Sequence, residues 1–275
     1  MTLIRETAKL LYKTRLCSLF RIQKHGFRLR YFPTSMSKRL WLDPFEKRDS
    51  YREVDDFFLA CLRPGDVVVD AGANIGYYSL LSSTIVGGQG KVYAIEAHPR
   101  IYDYLSANIR LNRAASVKTF HTALGSNEGH IRFSDKRKDD LNQVTEEGNI
   151  IVPLKTLDSL PLSGEPIRLL KIDVEGYEKF VLEGAEKVLA RTDIVFFEAW
   201  SEHFRKYDYR LEDILRFLNE LGFGFLAYRN GGLHAIDETF EPDDCINLVA
   251  VRDTEAFKRE TGTRLTSIHT DHQTA

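Results

Sequence analysis

Carboxylates follow short apolar runs at several points in this chain, and glycines space the residues around the first of them. The stretch VVVDAGANIGYYSL starts at residue 67 and contains Asp70, Gly72 and Gly76 in a D-x-G-x-x-x-G spacing. An apolar strand that runs through a glycine turn into a helix leaves free backbone N–H groups at the start of that helix. Open α/β sheets bind ligands at this edge. The stretch therefore predicts a cofactor site.

The spacing of the turn favours one kind of cofactor. A dinucleotide pyrophosphate is held by G-x-G-x-x-G, and here Asn74 stands where a second close glycine would be needed. A pyrophosphate would also meet the negative charge of Asp70. A ligand with both an ammonium and a carboxylate fits better, because the acid can face the ammonium while the turn amides face the carboxylate. S-adenosylmethionine carries both groups.

A second acid ends the next apolar run. Glu96 closes KVYAIE, 20 positions after Gly76, where an acid accepts hydrogen bonds from ribose hydroxyls. It would repel the 2′-phosphate of NADP, but NAD and S-adenosylmethionine both present a free ribose diol. Glu96 by itself leaves these two cofactors open. After the third run, the backbone at Ala123 and Leu124 is placed to hold an adenine edge.

Three more carboxylates, Asp173, Glu175 and Glu198, follow the fourth and fifth apolar runs. Acids before a helix are also favourable as caps and through the helix dipole, which is the structural alternative for Asp173 and Glu175. A third acid at a strand end is harder to explain as a cap. His121 and His203 are further candidate bases, and His203 follows Glu198 closely. The sequence thus predicts an acidic site beside the cofactor turn.

Alternating strands and helices must position these residues. Strands are predicted at 66–70, 91–95, 117–122, 168–172 and 193–198, and helices at 51–62, 75–84, 99–112, 177–190 and 210–221. Residues 129–134 and 149–154 are expected to be extra strands around a charged loop, and residues 223–229 and 245–252 two closing strands. This βαβ alternation indicates a mostly parallel sheet covered by helices on both faces.

The net charge of −2 conceals a basic start. Residues 1–48 hold 12 Lys/Arg against 3 acids, which leaves 26 against 37 in the remainder. An acidic body repels nucleic acid, so we expect no nucleic-acid partner. Residues 3–22 place apolar side chains at helical spacing and predict an amphipathic helix. This helix either packs on its own domain, the favoured interpretation, or brings residues 1–25 to a membrane surface.

The cysteines and the domain organisation complete the composition. Cys17, Cys61 and Cys245 have neither metal-site nor disulfide spacing, and no apolar run reaches the ~20 residues of a membrane span. A cytoplasmic protein, peripheral to the membrane at most, is expected. Three regions are predicted: a basic helix and connector at 1–50, the main domain at 51–255 and a polar tail at 256–275.

Five stretches together resemble the FkbM-type S-adenosylmethionine-dependent methyltransferases: VVVDAGANIGYYSL, VYAIEAHP, ALGSNEG, PLKTLDSL and, above all, LLKIDVEGYEKFVLEGA. The likeness covers roughly residues 50–230. It implies a Rossmann-like class I methyltransferase with a seven-stranded, mostly parallel sheet and a C-terminal antiparallel hairpin. It also implies methylation of a hydroxyl, often on a sugar, a glycan or a natural product.

The resemblance also implies roles for single residues. In-line methyl transfer to a hydroxyl benefits from a positioned base, and the three carboxylates stay unranked for that task. The loop at 139–144 is expected over the pocket, so that Asn142 faces it. No metal is predicted. The implied sets are cofactor-binding Asp70, Gly72, Ala73, Asn74, Gly76, Glu96 and Ala123, catalytic Asp173, Glu175 and Glu198, and substrate-facing Asn142 and His203.

Two alternatives remain at this stage. Glu96 and the Rossmann-like alternation are also compatible with an NAD-dependent oxidoreductase, against which the spacing of residues 70–76 argues. A non-catalytic relative of the fold, acting as a binding module at a membrane through residues 1–25, is the other. The oligomeric state and the methyl acceptor stay open.

Overall fold

The computed structural model describes residues 2–14, 16–46, 51–136, 142–230 and 232–274. Residues 137–141, which include part of the predicted charged loop and of the loop before Asn142, lie outside the described residues. In chain order, the first elements are α1 (Thr2–Lys13), β1 (Arg21–Lys24), β2 (Phe27–Arg30), α2 (Ser35–Glu46), α3 (Arg52–Cys61), β3 (Val67–Ala71), α4 (Tyr77–Val86), β4 (Lys91–Glu96), α5 (Pro99–Asn112) and β5 (Val117–His121).

The second half of the chain completes a large sheet and adds a small one. Its elements are β6 (Ala123–Leu124), β7 (Gly129–Phe133), β8 (Ile150–Lys155), β9 (Ile167–Ile172), α6 (Glu178–Glu183), α7 (Glu186–Leu189), β10 (Thr192–Ala199), α8 (Ser201–Arg205), α9 (Leu211–Glu220), β11 (Gly224–Arg229), β12 (Gly232–Ile236), β13 (Ile246–Val251) and α10 (Thr254–Thr274).

The main sheet has eight strands in the order β12-β11-β13-β10-β9-β3-β4-β5. The five strands from β10 to β5 are parallel, and β13, β11 and β12 are antiparallel. From β3 the chain first adds β4 and β5 on one side and later places β9 on the other. This reversal makes the carboxyl ends of β3 and β9 the switch point where such sheets bind ligands.

Both faces of the parallel strands are covered, as the predicted α/β class requires. Along β3, Val68 packs with Phe57 and Phe58 on one face, while Val69 packs with Val181 and Leu182 on the other. The continuous apolar runs of these strands follow from this two-sided burial. The predicted extra strands at 129–134 and 149–154 are confirmed as β7 and β8, which pair antiparallel in a separate three-stranded sheet with β6.

The predicted strand count of seven was wrong, because β12 adds an eighth strand. β12 forms the tight antiparallel hairpin with β11, and β13 inserts between β11 and β10. The two closing strands expected from the sequence are therefore neighbours, but the intervening strand β12 separates them in the chain. An edge strand pairs on one side only, and β12 buries just Leu233, so it has no apolar run to reveal it.

The start of the chain differs most from its prediction. The helix expected over 3–22 ends at Lys13, where the Thr14 hydroxyl donates back to the Leu10 carbonyl at 2.8 Å. Ile22 then lies in the β1–β2 hairpin, because it alternates with exposed residues and enters the core there. The connector expected between this helix and residue 50 contains β2 and the helix α2.

Two further corrections concern helices. The helix expected over 177–190 is two short helices, because Gly184 approaches the Gly125 carbonyl so closely that a Cβ would lie 2.1 Å from that oxygen. The polar tail expected at 256–275 is the helix α10, and it buries Phe257 and Leu265 against the core. The hydrophobic core thus crosses both predicted region boundaries, and the division at 50 and 255 stays a prediction.

Candidate functional site

The turn after β3 is fixed by close backbone contacts with β4 and β9. Gly72 has φ +77°, and a Cβ there would lie 1.8 Å from the carbonyl oxygen of Asp173. The backbone N–H groups of Gly72 and Ala73 both donate to the Ile95 carbonyl, at 3.0 and 2.9 Å. Gly76 ends the turn as the N-cap of α4. The glycine spacing in the sequence therefore corresponds to a turn that packs closely against the ends of β4 and β9.

Asp70 lies behind this turn and is not among the residues that line the two cavities described below. Its carboxylate is 1% exposed, accepts a hydrogen bond from the Ser79 hydroxyl at 2.6 Å and lies 3.1 Å from the Lys171 ammonium. The expectation that Asp70 faces a ligand ammonium therefore does not fit the geometry. Its partner is Lys171, which lies on the neighbouring strand β9 of the sheet.

Glu96 joins the end of β4 to the turn. One carboxylate oxygen accepts from the backbone N–H of Asn74 at 2.9 Å, and the other accepts from the N–H of His98 at 2.8 Å. Burial raises the pKa of Glu96 to about 7. A carboxylate with both oxygens held by backbone donors is fixed in one orientation, which suits recognition of a paired hydroxyl group.

A first cavity lies between the β3 turn, the end of β4 and the β6 region. Of the predicted cofactor residues, Asp70 and Gly76 are absent from its walls. Asn142, predicted to face substrate, lines this cavity, and its side-chain oxygen accepts from the Lys136 backbone N–H at 2.6 Å. Its described walls include Gly72, Ala73, Asn74, Tyr78, Glu96, His98, Thr122, Ala123, Leu124, Asn142, Lys171, Asp173, Glu175 and Tyr177.

The turn after β9 presents Asp173 and Glu175. Glu175 has φ +58°, a left-handed conformation that is strained for a residue with a side chain. The buried carboxylate of Glu178 holds this turn, since it accepts from the backbone N–H groups of Val174 and Gly176 at 3.0 and 3.3 Å. The Tyr209 hydroxyl also stabilises this turn, since it donates to the Gly176 carbonyl at 2.7 Å. Glu178 and Tyr209 thus position the predicted acids.

A second cavity adjoins the first and contains Glu198. Burial, together with the charge of Asp173, raises the pKa of Glu198 to about 7, and the Cys245 thiol hydrogen-bonds to its carboxylate. Helix α2, which precedes the expected main domain, forms part of the wall. The described lining includes Ser35, Met36, Arg39, Tyr51, Val54, Asn74, Tyr78, Lys171, Asp173, Glu175, Phe196, Glu198, Trp200, His203, Cys245 and Asn247.

His203 lies in the second cavity beside Glu175, with its Nδ1 atom 3.6 Å from a carboxylate oxygen. Burial lowers the pKa of His203 to about 4, so the imidazole is neutral near pH 7. Its ring centroid lies 4.0 Å from that of Trp200. The structure therefore brings His203, Glu175 and Glu198 to one cavity.

The two cavities share one part of their walls. Glu96 and Ala123 line only the first cavity, whereas Glu198 and His203 line only the second. A ligand in the first cavity and one in the second would meet between the ends of β3 and β9. The shared residues are Met36, Asn74, Tyr78, Lys171, Asp173 and Glu175.

Sequence reasoning missed the cation at this junction. Lys171 is 3% exposed, and its ammonium lies 3.1 Å from Asp70, 3.4 Å from Asp173 and 3.3 Å from the Gly72 carbonyl oxygen. A lysine inside the apolar run LLKI was the available signal, because a charged residue in a buried strand needs a partner. Within the residues that the structure describes, no group of three or more His, Cys, Asp or Glu side chains forms a metal site.

Comparison with known proteins assigns the chain to a family. Residues 70–225, more than half of the chain, match the methyltransferase FkbM domain. The chain belongs to the FkbM methyltransferase family. The FkbM match begins at the β3 acid and ends in β11, so it contains both cavity-forming turns, while α2 lies outside it.

Individual relatives of this FkbM chain share about a third of the aligned residues. It is 33% identical over 138 residues to hexuronic acid methyltransferase AglP of Haloferax volcanii, which covers 48% of this chain and 55% of that protein. It is 33% identical over 166 residues to methyltransferase sdnD of Sordaria araneosa, covering 47% of this chain and 64% of the relative. The matched part spans less than two thirds of either relative.

Solved structures are also similar at low identity. A putative rRNA methylase from Clostridium thermocellum matches with a TM-score of 0.47 and 14% identity, covering 74% of this chain and 96% of that chain. A putative methyltransferase from Streptococcus mutans, solved with S-adenosylhomocysteine, matches with a TM-score of 0.45 and 13% identity, covering 74% of this chain and 98% of that chain.

Proposed function

We propose that this chain is an S-adenosylmethionine-dependent O-methyltransferase that methylates a hydroxyl group of a sugar, glycan or natural product. The observation that carries the proposal is the junction of the two cavities at the carboxyl ends of β3 and β9. A donor cavity and an acceptor cavity that meet at one point are what a direct group transfer needs. Membership of the FkbM family favours methyl transfer over the hydride transfer of an oxidoreductase.

The first cavity fits the donor. Glu96 offers a carboxylate held in place by two backbone donors, which matches the ribose diol. His98 is 2% exposed, lines the same cavity, and its Nδ1 atom has no hydrogen-bond partner among the described residues. An adenine amino group would satisfy this buried acceptor. Asn74 and Ala73 would lie against the methionine part.

The second cavity fits a hydroxyl acceptor. A hydroxyl is a poor nucleophile unless a base removes its proton as the new bond forms, and such a base works best with a pKa near the working pH. Glu198 has a pKa of about 7 and lines only this cavity, which favours it over Asp173 and Glu175 as the base. The neutral imidazole of His203 and the indole of Trp200 would contact the acceptor.

When bound, S-adenosylmethionine supplies an electrophilic methyl group on a sulfonium. The acceptor oxygen would bond to this methyl carbon as the carbon–sulfur bond breaks with its electron pair going to sulfur, and Glu198 would take the hydroxyl proton. Lys171 contributes by holding Asp173 and the Gly72 carbonyl in fixed positions at the junction. The names of the two relatives, one of them a hexuronic acid methyltransferase, support a sugar among the acceptors to be tested.

Calorimetric titration with S-adenosylmethionine tests the donor half. We expect binding by the full chain and at least about tenfold weaker binding by Glu96→Ala, since a ribose hydrogen-bond pair is lost. Glu128→Ala is the matched control, because Glu128 is an exposed acid paired with Lys155 at 2.7 Å. Absence of binding by the unsubstituted protein would contradict the proposal.

The acceptor half is tested with isotopically labelled methyl donor and a panel of sugars, uronic acids and glycans. Label should appear on an oxygen of the product, and alkaline treatment distinguishes a base-stable ether from a methyl ester. Transfer to none of the panel by a protein that binds the donor would favour the non-catalytic alternative. Label on nitrogen or carbon would overturn the proposed O-methylation.

A further inference from the structure

The exposed large apolar side chains are concentrated in one short segment. Leu10, Leu16, Leu19 and Phe20 are 59%, 47%, 74% and 48% exposed. Among the residues whose side-chain exposure the structure describes, Ile151 on β8 is the one other large apolar residue with such exposure. Four neighbouring apolar side chains in water are costly, so a patch of this kind commonly marks an interaction surface.

The same segment is strongly basic. Residues 1–30 contain eight Lys/Arg and a single acid, Glu6. On the β1–β2 hairpin, the strand register sets Arg21 directly opposite Arg30, and both are exposed. Like charges that face each other across an antiparallel pair are destabilising. A negatively charged surface lying against the hairpin would turn this repulsion into attraction.

The segment is attached firmly to the rest of the molecule. Ala8, Ile22 and Leu29 are buried. The Asn112 side chain on α5 bonds both the N–H and the carbonyl of Arg28, at 2.8 and 2.7 Å. At the hairpin turn, the Lys24 ammonium lies 2.8 Å from the buried Asp55 carboxylate. The exposed apolar residues therefore lie on a segment that is packed and hydrogen-bonded to the rest of the protein.

Helix α2 contacts both this N-terminal segment and the second cavity. The ring centroids of Trp41 and Phe20 lie 5.8 Å apart, and the indole N–H of Trp41 donates to the Ala8 carbonyl at 3.1 Å. On the same helix, Met36 and Arg39 line the second cavity.

We propose that Leu10, Leu16, Leu19, Phe20 and the β1–β2 hairpin form a docking surface for an anionic phospholipid bilayer. Leucine and phenylalanine side chains enter the boundary between headgroups and acyl chains, and the exposed arginines bind headgroup phosphates. The binding is peripheral, since among the described residues no helix has the length and apolar character to cross a bilayer. The proposal goes beyond the methyltransferase function and is tested without donor or acceptor.

Vesicle sedimentation of the full chain is the experiment. Phosphatidylcholine vesicles with about 30 mol% phosphatidylglycerol should bind at least about tenfold more protein than neutral phosphatidylcholine vesicles, because each arginine near an anionic surface adds to the attraction. About 0.5 M NaCl should remove most of this difference. Absence of binding to both vesicles, or equal binding to both, would overturn the proposal.

Variants separate this surface from unspecific adsorption. Leu19→Glu/Phe20→Glu and Arg21→Ala/Arg30→Ala should each reduce partitioning at least about tenfold. Ile151→Glu is the matched control, since it also removes an exposed apolar side chain but lies on β8, outside the N-terminal segment. Thermal unfolding is measured for each variant to check that it is folded. Unchanged binding by the Leu19/Phe20 variant, or an equal loss in Ile151→Glu, would contradict the assignment.

Discussion

The Lys171 ammonium lies 3.1 Å from the Asp70 carboxylate, and both side chains are almost fully buried. The strands that carry them, β9 and β3, are parallel neighbours in which Asp70 and Lys171 share a register position. The pair lies behind the glycine turn that follows β3, and the same ammonium lies 3.4 Å from Asp173 at the junction of the cavities. One ion pair thus links the glycine turn to the candidate catalytic acids.

Replacing Lys171 tests how much this pair stabilises the fold. Lys171→Met should lower the free energy of unfolding by about 3–5 kcal/mol, because it leaves the buried Asp70 charge unpaired. Lys91→Met is the control, since it breaks an exposed ion pair with Glu165, and no measurable loss is expected. Urea unfolding measures both. The double change Asp70→Asn/Lys171→Met should be more stable than Lys171→Met, and the opposite order would contradict the buried-charge explanation.

The close approach at Gly72 can be separated from its backbone conformation. Gly65 has a similar positive φ of +91°, but nothing lies within 4 Å of a Cβ built there. Gly65→Ala should therefore cost about 1 kcal/mol, the cost of the left-handed conformation. Gly72→Ala should cost at least about 2 kcal/mol more, since its Cβ meets the Asp173 carbonyl. Equal losses of unfolding free energy in urea would show that contact is not the cause.

The proposed base gives the activity a defined pH dependence. Glu198 accepts a proton only when ionised, and its pKa is about 7, so methyl transfer should rise with pH through about 7. Glu198→Gln should lower the rate by about 10²–10⁴-fold and abolish this limb of the profile, while donor binding by calorimetry is retained. Glu202→Gln, on the following helix, is the control. An unchanged pH profile in Glu198→Gln would transfer the role to another group.

Glu178 gives the stability a pH dependence of its own. Burial raises its pKa from 4.5 to about 7 in the folded protein. Between these values the folded state binds more protons than the unfolded chain, so the contribution of Glu178 to unfolding free energy falls as pH rises from about 4.5 to about 7. Glu178→Gln should lose this component, so that its stability relative to the native protein improves with rising pH. Unfolding curves at several pH values measure the difference, and a constant difference would contradict it.

Local pattern determined much of the architecture. Short runs of strand-forming residues predicted the five parallel strands to within about a residue at each end, and in the central strands two-sided burial leaves a continuous apolar run. The strand-end positions of Glu96, Asp173 and Glu198 were predictable for the same reason, because parallel strands bring their carboxyl ends to one edge. Edge elements such as β12 and α10 were missed, because one-sided packing leaves a weak pattern.

The sequence alone therefore determined the five parallel strands of the main sheet, the acids at their carboxyl ends, and the family resemblance. Only the tertiary structure decided that Asp70 pairs with Lys171 and that helix α2 lines the second cavity. The physical reason is how far apart in the sequence the interacting residues are. A residue's position along a strand follows from its immediate neighbours, whereas ion pairing and cavity walls depend on contacts between segments far apart in the chain.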